Sequence, residues 1–347
     1  MATNTAALLT GKHVRPLSVA SAPMPDLKPG SVIVETKALA INPVDAAIQT
    51  AGIIATDYPV TMGLDGAGTV HAVSDDTTNV KVGDRVLAFT AGGTAPGGQG
   101  GTFQQYFCAD SKYVAVLPDN VKFTEGVVVT SCLTVAAISL FDEKCLALSR
   151  PPIEGQADSN DKIVLIWAGA TVVGSCAIQI AKLAGYEVWT TSSEHNFDYC
   201  KNLGAAQVFD YKRPNIVDEI VQAIDTFGKP LTGAFGAHLW TANDCAQVVR
   251  KLGDSVEHTR AVGTVIPEGY GFSVPEDWPE NVKFCWLLSK SDAAEWVWRE
   301  WITKALADGR MKCKPDADVV GKGLEFVQEA LDRWSQGVSA SKIVVEL

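Results

Sequence analysis

The stretch that decides the fold is Lys162–Gly185, which reads KIVLIWAGATVVGSCAIQIAKLAG. Lys162–Trp167 is a short β-branched run of the kind that forms a buried parallel strand. Ser175–Ala184 carries Cys176, Ile178, Ile180, Ala181 and Leu183 at helical spacing. Between the two lie Gly169 and Gly174, the spacing of the outer glycines in G-x-G-x-x-G. In a dinucleotide-binding βα turn the first glycine permits a sharp turn and the last lets helix and strand approach closely. Thr171 replaces the middle glycine, so the motif alone fits an ordinary strand–turn–helix equally well. Its neighbours must separate the two readings.

Glu187–Thr191 (EVWTT) reads as the next strand. A site for NAD(H) would place a carboxylate at its end, roughly 20 residues after the first glycine, on the ribose 2′-hydroxyl. Here the strand runs into Thr191, Ser192 and Ser193, followed by Glu194, His195 and Asn196. Hydroxyls and an imidazole suit a 2′-phosphate, with Glu194 turned away, and favour NADP(H) over NAD(H). Ser193 or Asn196 serving as a helix cap is the plain alternative.

A chain of 347 residues predicts two domains rather than one core. Hydrophobic residues make up 47% and charged residues 20%, a globular composition. Lys and Arg number 29 against 40 Asp and Glu, so the net charge is −11, which argues against nucleic acid or an anionic membrane as partner. No run of eighteen apolar residues is present, so no spanning helix is expected. The N-terminus lacks the apolar core of a signal peptide. The eight cysteines, at 108, 132, 145, 176, 200, 245, 285 and 313, form neither C-x-x-C nor a zinc-finger spacing. Cys176 and Cys245 fall in apolar helical contexts. The reading is a soluble, reduced, cytoplasmic protein.

Organisation shifts along the chain. Up to about residue 125 it is strand-rich, with Ser31–Ala38, Gly68–Val73, Asp84–Phe89 and Tyr113–Leu117 punctuated by Gly63, Gly66, Gly68 and Gly83, as in a small barrel. A helix follows near Val127–Phe141, and Ser149–Asp161 reads as a surface loop. Strands at 162–167, 187–191 and 206–209 then alternate with helices at 175–184, 196–203 and 215–227, a βαβ series. Gly323–Gln336 reads as an amphipathic helix and Lys342–Glu346 as a closing strand.

Several local stretches carry a family resemblance. They are Ala40-Ile-Asn-Pro-Val-Asp45, Gly63-Leu-Asp-Gly-Ala-Gly68, Lys81-Val-Gly-Asp-Arg-Val86, Gly101-Thr-Phe-Gln-Gln-Tyr106, Leu117-Pro-Asp-Asn120, Ala181-Lys-Leu-Ala-Gly185, His195-Asn-Phe-Asp198, Leu203-Gly-Ala205 and Phe209-Asp-Tyr211. With the order of barrel, Rossmann domain and returning helix–strand, nearly the whole chain resembles the medium-chain dehydrogenase/reductase superfamily. The S-x-H-N-F-D stretch and the K-I-V-V ending are most similar to trans-acting enoyl reductases of fungal polyketide pathways. The resemblance implies an α/β fold: a GroES-like β-barrel domain over 1–127 and 305–347, and a Rossmann doubly wound parallel-sheet domain over 128–304. It implies a monomer that uses NADP(H) to reduce an α,β-double bond of a small-molecule or carrier-bound polyketide-type substrate, with a polyketide synthase as partner.

The resemblance also assigns site residues. Val44, Asp45, Ala46 and Ala47 would contact the cofactor, as would the turn Gly169, Ala170, Thr171, Val172, Val173 and Gly174. Ser193, His195, Asn196 and Tyr211 would hold the adenosine phosphate. Val262, Ile343 and Val344 complete the cofactor set, and Thr134 is the candidate catalytic residue beside the nicotinamide, in a cleft between domains. Each has a plain alternative: Thr134 as a helix-interior threonine bonding the carbonyl one turn back, Tyr211 as a half-buried strand-end residue. Trp286, Trp296, Trp298 and Trp301 fall in a region expected to return toward the barrel domain, as core or as part of a large apolar pocket.

Alcohol dehydrogenases of the superfamily hold zinc where this chain has Asn42-Pro43-Val44-Asp45 and Gly63-Leu64-Asp65. Those stretches supply no thiolate and no imidazole, and Ala91–Gly101 is glycine-rich where a structural zinc lobe would carry four cysteines. Zinc needs three or four ligands in tetrahedral array, so no metal is expected. The chain also departs from the enoyl reductases. Ala47 stands where they often have lysine, Ala170 and Val172 replace polar turn residues, and Gly236 follows a strand where aspartate is common. Three readings follow: an NADPH-dependent reductase, a redox-inactive relative that cyclises or isomerises a polyketide-type substrate, and a non-catalytic synthase partner.

Overall fold

The computed structural model describes residues 3–53, 55, 57–90, 100–238, 241–253, 256, 261–263, 278 and 291–347, the last strand of the parallel sheet (261–263) by its backbone alone. The chain divides into two units, Met1–Ser131 with Glu295–Leu347, and Cys132–Ala294.

In the second unit, Ile163–Trp167 is buried at every position, as a strand covered on both faces must be. It is flanked by Glu187–Ser192 on one side and Leu231–Gly236 on the other. The five-stranded sheet is parallel throughout, in the order Gln207–Asp210, Glu187–Ser192, Ile163–Trp167, Leu231–Gly236, Ala261–Gly263. The chain winds outward in one direction for three strands and then returns to the other side of the first. That reversal is the topological switch point of a doubly wound sheet, where ligands bind beyond the carboxyl ends of the strands. Helices Val172–Leu183, Phe197–Leu203, Ile216–Phe227 and Ala242–Leu252 form the crossovers. Ile216, Ile220 and Ile224 are the buried stripe of one of them, and Gly228 ends that helix at φ +76°. Trp189 is fully buried between Phe209 and Phe227, ring centroids 5.7 and 5.4 Å away.

The first unit is built on a sheet ordered Asp316–Lys322, Ser341–Glu346, Ser31–Ala40, Asp65–Val73, Arg85–Phe89, Val114–Val116, with Tyr106–Asp110 also pairing Ser31–Ala40. A smaller sheet joins Ser18–Ala22, Asn4–Leu9 and Val60–Thr61. Leu9, Leu39, Ile41, Met62, Phe103, Ile343 and Val345 share one core with Leu324, Val327 and Leu331 of the C-terminal helical segment. The closing strand thus returns to the N-terminal barrel, Val344 opposite Ala40.

The structure adds strands that the sequence does not predict, among them Asn4–Leu9, Ser18–Ala22 and Asp316–Lys322. The last is an edge strand with no fully buried residue, so it carries no apolar alternation. Phe123–Phe141, nineteen residues long, holds an eighteen-residue window of mean hydropathy 1.7, so length and composition alone would let it cross a membrane. Of that window 78% is buried within the protein, the condition of a core helix. Cys176 and Cys245 are fully buried free thiols. Trp296, Trp298 and Trp301 are buried, whereas Trp286 and the glycine-rich residues 91–99 lie outside the described residues.

Candidate functional site: a nucleotide turn and a buried polar cluster

The second-unit site begins at the βα turn. The helix starts at Val172, three residues earlier than the apolar periodicity suggests, because Thr171 caps it: its Oγ1 accepts from the Gly174 N–H at 3.0 Å. The same hydroxyl donates to the Ala168 carbonyl at 2.8 Å, closing the turn on itself. Ala168 sits at φ +66°, a left-handed conformation that glycine would adopt more readily. The two glycines are sterically required. A Cβ on Gly174 would lie 2.3 Å from the Ala168 carbonyl oxygen, and one on Gly169 would lie 2.2 Å from Thr190 Oγ1. The first-turn amides of Val172 and Val173 lack intrahelical acceptors, which makes the turn a cradle for anions at the switch point. Ala170 contributes no hydroxyl there.

Ser193 and Tyr211 meet beyond the strand ends, Ser193 Oγ donating to Tyr211 Oη at 3.2 Å. Ser193 and Asn196 stand at the N-cap positions of Glu194–Asn196 and Phe197–Leu203, neither with a side-chain cap hydrogen bond. Tyr211 is 45% exposed, Glu194 and His195 are exposed, and Asn196 is buried. Thr134 is buried in the interior of the helix Thr130–Phe141. Val262 lies on the strand Ala261–Gly263, its side chain outside the described residues. Gly236 is sterically constrained too: a Cβ there would lie 2.7 Å from Thr241 Oγ1 and 3.0 Å from the Ala242 nitrogen. An aspartate at 236 would not fit this backbone.

The first unit holds a second constellation, which the motifs did not reveal. Asn42 precedes Pro43–Ala51, a helix with proline at its first position. The Asn42 N–H donates to Asp45 Oδ2 at 2.8 Å. Its side-chain amide turns away from the helix and donates to Asp65 Oδ2, also at 2.8 Å. Lys342 Nζ reaches Asn42 Oδ1 at 2.7 Å and Asp65 Oδ2 at 3.1 Å. Ser131 completes the cluster, donating its backbone N–H to Asp65 Oδ1 at 2.8 Å and its hydroxyl to Asp65 Oδ2 at 3.0 Å. Asp65 therefore anchors the start of Thr130–Phe141 while Asn42 anchors the start of Pro43–Ala51.

Among the described residues, Asp45, Asp65 and Lys342 are the buried charged side chains, and all three are here. Burial pushes the Asp45 carboxyl up from 3.8 to about 7; the Asn42 N–H pulls it back, the Asp65 charge adds to the rise and Lys342 opposes it. Asp45 Oδ1 is buried with no hydrogen-bond partner. Of the expected contacts in this unit, Asp45 and Ala46 are buried while Val44 and Ala47 are half-buried. Ile343 and Val344 are buried, Ile343 within the barrel core. Lys342 and Ser131 were the functional candidates that sequence reasoning missed.

The donor set does not suit zinc. Asp65 is already paired with an ammonium, and no three His, Cys, Asp or Glu side chains converge among the described residues.

Residues 28–119 match the alcohol dehydrogenase GroES-like domain family, and residues 172–290 match the zinc-binding dehydrogenase family. The chain is 36% identical to dehydrogenase orsE of Emericella nidulans over the full length of both. It is 31% identical to trans-enoyl reductase himH of Aspergillus japonicus, over 91% of this chain and 89% of that one. An alcohol dehydrogenase superfamily protein from Novosphingobium aromaticivorans shares the fold, with a TM-score of 0.78 at 23% identity over 99% of this chain and all of the other. A switch-point turn built on two obligatory glycines, a barrel closed by the C-terminal strand and relatedness along the whole length converge: the chain belongs to the medium-chain dehydrogenase/reductase superfamily, oxidoreductases that work with a nicotinamide cofactor.

Proposed function

We propose that the protein is a zinc-independent, NADPH-dependent reductase of an activated α,β-double bond on a polyketide-type substrate, free or carrier-bound. The observation that carries this reading is the Thr171-capped turn at the switch point, in a chain related over most of its length to a trans-enoyl reductase. Gly169 to Gly174 would hold the pyrophosphate by backbone N–H groups. Ser193 and Tyr211, with His195 and Asn196 near them, would take the 2′-phosphate, since no carboxylate ends the Glu187–Ser192 strand. NADPH, when bound, supplies hydride to the β-carbon. Thr134 is the proposed hydrogen-bonding residue on that reaction path. Zinc independence is supported by the Lys342 ammonium, which already neutralises Asp65.

Calorimetric titration with NADPH and NADH, followed by NADPH oxidation with an enoyl thioester, tests the reading. Tighter NADPH binding and thioester-dependent oxidation are expected; equal affinity would overturn the NADP(H) assignment. A chelator should leave turnover unchanged. Ala47, which offers no donor, keeps a second reading: a redox-inactive cyclase or isomerase. Product formation by cofactor-free protein at the full rate would replace the reductase by that alternative.

A further inference from the structure

Two carboxylates, Asp45 and Asp65, and one ammonium, Lys342, are buried in the barrel unit, and the ammonium is bonded to Asp65. If both were ionised, the cluster would carry an uncompensated negative charge away from water, which is strongly unfavourable. One proton therefore belongs to the cluster. Both oxygens of Asp65 already accept, from the Ser131 N–H and hydroxyl, the Asn42 amide and Lys342 Nζ. Asp45 has one oxygen on the Asn42 N–H and the other without a partner.

We propose that Asp45 is a protonation-dependent positioning residue for Lys342. While Asp45 is neutral, the ammonium stays on Asp65 and Asn42, and those two residues anchor the first turns of Pro43–Ala51 and Thr130–Phe141. When Asp45 loses its proton to solvent, its carboxylate repels Asp65 and competes for Lys342 through the unpartnered Oδ1. The anchors of both helices then loosen together. The charges acting on Asp45 are Asp65, from the neighbouring strand, and Lys342, from the closing strand. The switch would govern the activity proposed above, and to that extent it rests on that reading.

The test separates the two. Infrared spectra of the full-length protein should show a protonated carboxyl that disappears between about pH 6 and pH 8 and is missing in Asp45→Asn. The Lys342 Nζ signal, followed by nitrogen NMR, should move with the same midpoint in the wild type and stay flat in Asp45→Asn. Asp65→Asn removes the repelling charge and frees the ammonium, so the carboxyl midpoint should fall by about one unit or more, at least tenfold in proton affinity. NADPH-dependent turnover of the wild type should decline over the same alkaline interval. A Lys342 signal that ignores pH, or a carboxyl band unchanged by Asp45→Asn, overturns the proposal. A normal carboxyl titration in a protein that never oxidises NADPH overturns the reductase reading and leaves the switch standing.

Discussion

The nucleotide turn and the barrel cluster solve opposite problems. The turn is made of backbone: two glycines, a hydroxyl cap and free amides, with no charged side chain in Ala168–Ser175. The cluster is made of groups brought from four places in the chain, near 42, 65, 131 and 342, with Lys342 and Asp65 as its ion pair. A backbone cradle is fixed by local sterics, and it fails when a single Cβ is added. A buried polar cluster is fixed by mutual satisfaction, and it fails when one partner is removed.

The sharpest way to break this comparison is Gly174→Leu. The side chain would meet backbone at 2.3 Å, closer than any adjustment of a flexible neighbour can relieve. NADPH affinity should fall by about a hundredfold or more, roughly 2.7 kcal/mol of binding, in calorimetry on protein whose circular dichroism is unchanged. If binding survives in such a protein, the turn is not the phosphate cradle.

Lys342→Met tests the cluster in the same way. It leaves Asp65 buried without its counter-charge, and urea unfolding should show a loss of about 3–5 kcal/mol. A loss below about 1 kcal/mol would mean that the ion pair is solvated and not structural.

Asp45 gives the comparison a pH axis. Its carboxyl ionises near 3.8 when unfolded and near 7 when folded. Between those values the folded state binds more protons than the unfolded state, so stability must fall as pH rises from about 4 to about 7 and level off above. The drop is up to about 4 kcal/mol at this site. Asp45→Asn should flatten that part of the stability curve. A wild-type curve that rises across the interval through this residue would contradict the assignment.

The smallest effect is expected at Tyr211→Phe. The residue is 45% exposed, and its hydrogen bond to Ser193 is a surface contact. Stability should change by less than about 0.5 kcal/mol. NADPH affinity should weaken about fivefold, the value of one hydrogen bond, with NADH affinity unmoved. Equal weakening for both cofactors would remove Tyr211 from the 2′-phosphate site.

What the sequence by itself determined is the set of features written in short-range periodicity. The Ile163–Trp167 strand, the glycine pair beside it and the alternating βα series could be read because each depends on residues within a few positions of one another. The family resemblance extended that reading to the barrel. What only the tertiary structure decided is long-range. The Asn42–Asp65–Lys342 network joins residues 277 and 300 positions apart in the chain. No local pattern distinguishes a lysine at the head of an exposed strand from one whose ammonium is buried on a carboxylate. Gly236 shows the same limit in reverse. In sequence it reads as a lost aspartate; in space it is the residue that lets the Leu231–Gly236 strand pass Thr241 and Ala242. Periodicity encodes which face of an element is buried. Which charges meet across that face depends on where the rest of the chain arrives.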